Sequence, residues 1–174
     1  MGALANTAMN TLFWEAGVMT LIIGFVNIGI GGNKINPKDF GIVILSGALM
    51  ETLALSFVIE DRAVFDATVA AAFVLLLWMI SIALILGGTN LYVIQHALWF
   101  TGILFFGFAT YTAYLHLIFI TIILYLLVPV TVFLSLHGYT GKAVYAKIAG
   151  YCSAIDGFLF LVLAFTGAIG VVLP

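Results

Sequence analysis

The chain has 174 residues, 65% of them hydrophobic, 14% aromatic and only 7% charged. Soluble domains carry about 25% charged residues, so this composition excludes a wetted globule and predicts an all-α integral membrane protein. A net charge of −2 gives no electrostatic footprint for nucleic acid, and the single cysteine, Cys152, excludes an internal disulfide or a cysteine metal cluster.

Polar breaks divide the chain into one domain of six predicted spans, at 11–30, 40–59, 65–86, 91–114, 117–137 and 147–172. Each is near the roughly 20 residues needed to cross a hydrocarbon core at about 1.5 Å per residue. The first span follows a stretch without the basic region of a signal peptide, so it is read as a retained helix. It carries Trp14, Glu15, Thr20 and Asn27, and ends at Gly31-Gly32 and a loop with Lys34, Pro37 and Lys38. The second holds Gly47, Glu51 and Ala54 and runs out at Glu60, Asp61 and Arg62. The third carries Phe73 and Trp78 and closes at Gly87-Gly88. Leu91 to Leu136 is nearly unbroken and too long for one crossing, so a turn is required near His116. The sixth span follows Lys142, opens at Lys147 and contains Cys152 and Asp156, and Ala143, Gly150, Gly157 and Ala164 recur along this helix at seven-residue spacing. Such small-residue stripes allow close helix approach in lipid.

The basic residues are lopsided. Lys34, Lys38, Lys142 and Lys147 fall in loops one and five, against Arg62 alone on the other side. The positive-inside rule then places the odd loops in the cytoplasm of a cell (inner or plasma) membrane and both termini outside.

Three acids fall inside predicted spans, where a carboxyl is costly and faces protein or a water-filled path. Glu15 lies about a turn into the first span, where it is a snorkelling group or a proton site. Glu51 and Asp156 each lie about 14 Å from the cytoplasmic start of their helices, near the midplane. No Lys or Arg falls inside a predicted span to pair with them, Lys147 standing at the very start of the sixth. Two neutral acids at one depth are either a hydrated, proton-sharing site on a permeation path or interhelical hydrogen-bond donors. Phe73 and Trp78 are candidates for narrowing such a path, with core packing as the alternative. The remaining aromatic residues suit interface belts and lipid faces. His96, His116 and His137 lie near helix ends at spacings unlike a metal site. No nucleotide, zinc or phosphate motif is present, so neither a cofactor nor a metal is expected.

Two stretches resemble the AmiS/UreI family of urea and short-chain amide channels. One is Asn27 through Gly31 to Lys34, Pro37 and Lys38, similar to that family's first-span exit. The other is Lys142, Lys147, Gly150-Tyr151 and Ile155-Asp156-Gly157, similar to its last helix, where a pore-lining glutamate stands at the position of Asp156. Spans three and four depart from that family's aromatic pattern. Gly17-x-x-Thr20, Asn27-x-Gly29 and Gly47-x-x-x-Glu51-x-x-Ala54 are also similar to the YaaH-type acetate and succinate transporters, with Glu51 where those carry glutamine. Their signature before span one is missing here, and their basic loops imply the opposite orientation. Both resemblances imply a six-helix protomer with its own pore, assembled as a homo-hexameric ring. They imply solute-path roles for Thr20, Asn27, Glu51 and Asp156.

The expected function is therefore a membrane channel or facilitator for a small polar solute such as urea or a short-chain amide. The alternative is a proton-coupled acetate or succinate transporter in which Glu51, Asp156 and Glu15 are proton sites. A non-transporting scaffold leaves midplane acids as an unnecessary cost, and an enzyme lacks a recognisable nucleophile or metal constellation. The expected partners are the lipid bilayer, the solute and further copies of the chain.

Overall fold

The structure, a computed structural model, describes residues 3–31, 35–60, 64–87 and 92–171. Lys34, Asp61 and Arg62, on which part of the orientation reading rests, lie outside the described residues. All regular structure among the described residues is helical: α1 (Ala3–Ile28), α2 (Pro37–Glu60), α3 (Val64–Ile85), α4 (Tyr92–Tyr114), α5 (Ile118–Thr140) and α6 (Ala143–Ala168). The six run 22 to 26 residues and are long and apolar enough to cross a membrane. They are apolar on every side, as lipid-facing helices are. Leu53, Phe100, Ile103 and Phe158 are exposed on the outside of the bundle, where lipid tails would cover them.

Two helix ends differ from the hydropathy pattern. α1 begins at Ala3, ahead of the apolar run, and α6 begins at Ala143 rather than at Lys147. A helix satisfies its own backbone irrespective of side-chain polarity, and hydroxyls join in by bonding the preceding turn, as Thr11 Oγ1 does to the Thr7 carbonyl at 3.0 Å. The long apolar stretch is broken where the span length required. His116 adopts a φ of +60°, and the amides of His116 and Leu117 close back onto the carbonyls of Ala113 and Thr112, each at 3.0 Å. α5 ends on Gly141 at φ +67°, a left-handed stop available to glycine, with its amide 2.7 Å from the His137 carbonyl.

Each helix packs chiefly against its neighbours in sequence, and α6 returns to α1, so the six close into a ring. The α1–α6 seam is the most extensive and the α3–α4 seam the thinnest. Glycines set the first. Gly17 and Gly24 on α1 face Gly157 and Gly150 on α6; a Cβ on Gly24 would lie 2.6 Å from the Ala154 amide nitrogen, and one on Gly157 2.6 Å from that of Leu21. The two backbones are in direct contact, and Ser153 Oγ donates across the seam to the Thr20 carbonyl at 2.7 Å.

Candidate functional site

The inner faces of the ring enclose two cavities, one opening toward each end. The first, of about 100 Å³, lies toward the end that carries the start of α1 and the α2–α3 and α4–α5 turns. Its wall includes Phe13, Phe65, Phe73, Phe105 and Phe160, with Glu51 and Asp66 among the rings. The second, of about 540 Å³, lies toward the opposite end and is lined by Asn27, Phe40, Gln95, His137 and several aliphatic residues. Among the described residues, neither wall contains a lysine or arginine.

What separates the two can be measured along the helices. The first cavity's lining reaches Ala16, Phe73, Phe105 and Leu127, and the second's begins at Ile23, Ile80, Leu98 and Leu134. On α1, α3, α4 and α5 alike the interval is seven positions, or about 10 Å of packed side chains. Thr20, Leu77 and Thr131, each within that interval, are fully enclosed at 2%, 0% and 0% exposure. The hydroxyls of Thr20 and Thr131 bond carbonyls of their own helices, Ala16 for the first, and Leu127 and Val128 for the second. Gly102 brings α4 close, since a Cβ there would stand 2.7 Å from Thr131 Oγ1. Hydroxyls on α1 and α5 thus share this level with Leu77 of α3.

Asp156 belongs to this level. It stands on α6 between Ser153, which bonds Thr20, and Phe160, which lines the first cavity and lies 5.9 Å from the Phe73 ring. Its side chain is fully buried, and neither carboxyl oxygen has a hydrogen-bond partner among the described residues. Glu51 is equally enclosed and unpartnered, and it lines the first cavity. The sequence placed these two acids at one depth, as one site. Their helices, α2 and α6, are not neighbours in the ring, and α1 stands between them. The acid within electrostatic reach of Glu51 is Glu15. Met19 packs on Gly47 across the antiparallel α1–α2 seam, and one turn along each helix brings Glu15 opposite Glu51.

The other candidates separate clearly. Thr20 lies in the septum, Asn27 in the second cavity and Phe73 in the first. Trp78 lines neither; its indole nitrogen donates to Thr52 Oγ1 at 3.1 Å, tying α3 to α2. His116 is exposed in its turn, and His96 packs its ring edge-on against Tyr139 at 5.6 Å. No cluster of three potential metal ligands stands together among the described residues, so no residue is assigned to a metal.

Sequence reasoning missed Gln95, Thr131 and the second-cavity position of His137. Gln95 and Thr131 interrupt apolar runs, which is the available signal. Which side of the helix they face depends on the ring. Comparison of the chain with protein-family models, with curated proteins and with solved structures finds no match. The six apolar helices make this a multi-pass membrane protein of a form compatible with a channel or transporter.

Proposed function

We propose that the protein is a channel or facilitator for a small uncharged polar solute such as urea or a short-chain amide. The observation that carries this reading is the pair of opposed cavities in one helical ring, separated by only about 10 Å of side chains. Solute charge follows from the walls. Among the described lining residues a carboxylate solute meets no lysine or arginine, and it meets Glu51 and Asp66 in the first cavity. A neutral solute carrying N–H and C=O groups has no such barrier, and Phe-lined surface suits its desolvated faces. The resemblance to the AmiS/UreI family supports the same class and adds a hexameric ring with one pore per protomer.

The unpartnered carboxyls of Glu51 and Asp156 favour a second reading, a proton-coupled carrier for acetate or a similar monocarboxylate, as in the YaaH-type resemblance. Flux into proteoliposomes of urea, acetamide and acetate at several pH values separates the two. Facilitated urea or acetamide entry without proton movement is expected; acetate entry accompanied by protons, with no amide flux, overturns the channel reading. The orientation, termini outside, is tested with single cysteines. Thr140→Cys is expected to be labelled only from the cytoplasm and Leu115→Cys only from outside.

A further inference from the structure

The first cavity joins buried acid to a wall of aromatic rings. We propose that it binds a small methylated ammonium ion, with Glu51 as the counter-charge and the phenylalanine rings as a cage. This goes beyond the channel reading and does not depend on it.

Glu51 is 1% exposed and lines this cavity, yet neither carboxyl oxygen meets a donor among the described residues. A carboxyl so placed is costly unless something answers it. The wall does not, because apart from Glu51 and Asp66 every described lining residue is apolar. The donor must therefore come with the ligand. Charge points the same way. The helices packed on α2 carry one titratable group each, Glu15 on α1 and Asp66 on α3, and both are acids. Glu15 lies within electrostatic reach of Glu51, and Asp66 stands in the cavity wall. Where Glu51 holds a proton, the entering cation takes its place as the proton leaves to water, so the charge of the site is unchanged.

The rings supply the rest. Phe160 of α6 lies 6.3 Å from the Phe13 ring of α1 and 5.9 Å from the Phe73 ring of α3. Their planes turn by 31° and 52°, so the three form a curved wall rather than a stack, and Phe65 and Phe105 extend it. Aromatic rings attract cations through their quadrupole, most strongly where water is excluded. Such a cage discriminates among cations. A divalent metal ion takes several oxygens at about 2.0–2.6 Å, and no cluster of three potential metal ligands stands together among the described residues. A methylated ammonium needs only one carboxyl for its N–H and ring surface for its methyl groups. The cavity, about 100 Å³, has room for an ion of a few heavy atoms.

The test is calorimetric titration of the full chain in dodecyl maltoside, an amine-free detergent, at constant ionic strength. Trimethylammonium is the probe, and tert-butanol is its neutral counterpart, with the same three methyl groups and one donor. Saturable binding of trimethylammonium and none of tert-butanol is expected. Glu51→Gln keeps the shape, removes the charge and is expected to weaken binding at least about tenfold. Phe73→Leu removes one ring and is expected to weaken it about threefold; it stands in if the glutamine variant fails to assemble. Equal binding of the two probes, no binding of either, or unchanged affinity in an assembled variant overturns the proposal. In proteoliposomes the bound cation fills the first cavity, so trimethylammonium is expected to inhibit urea flux. Urea flux that persists at saturating cation overturns this placement. A wild type that binds the cation but conducts no urea supports the site and counts against the channel reading alone.

Discussion

Two seams of the ring hold α-helices together by opposite means. Between α1 and α6 the backbones touch, through four glycines at seven-residue spacing and the Ser153–Thr20 bond. Between α3 and α4 the bridge is made by side chains, with Phe65 lying 5.9 Å from the Phe108 ring and 5.0 Å from that of Tyr111. Both cavities draw walls from α3 and α4, whereas α6 contributes nothing to the second. Backbone contact tolerates almost no displacement, because glycine is the only residue that admits it. The α1–α6 seam is therefore the side of the ring held by backbone contact, and the α3–α4 seam the thin side held by side chains.

The largest effect that separates the seams is expected from filling the glycine contacts. Gly24→Leu or Gly157→Leu drives carbon into backbone atoms, where relief requires moving a whole helix. Ordinary overpacking costs about 1–3 kcal/mol, and these variants are expected to exceed that and yield no monodisperse protein on size-exclusion chromatography. Gly107→Leu on α4, where a Cβ meets nothing within 4 Å, is expected to assemble normally. Equal yields from all three would remove the distinction.

Next in size is Asp156, buried on α6 at the level of the septum. Asp156→Leu replaces its polar group with an apolar plug and is expected to abolish urea flux per assembled protein. Asp156→Asn keeps size and hydrogen-bonding capacity and is expected to retain much of it. Loss of transport already in the asparagine variant would point to a proton carrier. Normal flux in the leucine variant would take Asp156 out of the path.

At the α3–α4 seam the effects are smaller. Phe65→Ala is expected to lower the melting midpoint by a few degrees, since it removes two ring pairs worth about 0.5–1.5 kcal/mol each. It is also expected to raise propionamide flux relative to urea flux. A shift in stability without a shift in that ratio would make α3–α4 a packing seam only. Smallest is Thr52→Val, which deprives the Trp78 indole of its acceptor at a cost of about 1 kcal/mol. Because Trp78 ties α3 to α2 rather than lining a cavity, solute flux is expected to be unchanged.

The sequence alone determined that six helices cross a membrane. Hydrocarbon admits no unsatisfied backbone, so an apolar run of sufficient length has one available form, and the break at His116 followed from length alone. The glycine stripe of α6 was legible for the same kind of reason, as a period that leaves one helix face without side chains. Thr20, Asn27 and Phe73 were identified singly as candidates, and Glu51 with Asp156 as a pair at one depth. Which of the other polar groups share a wall was not legible. Depth along a helix can be counted from its end, but the direction a residue faces is set by which helices are neighbours. That assignment put α1 between the two buried acids, turned Glu15 toward Glu51 and sent Trp78 to a seam. It also brought Gln95 over Gly138, beside His137 and Asn27. Helices that are apolar on every side carry no polar stripe to mark the outer face from the inner, so only the packed ring decides which polar groups meet.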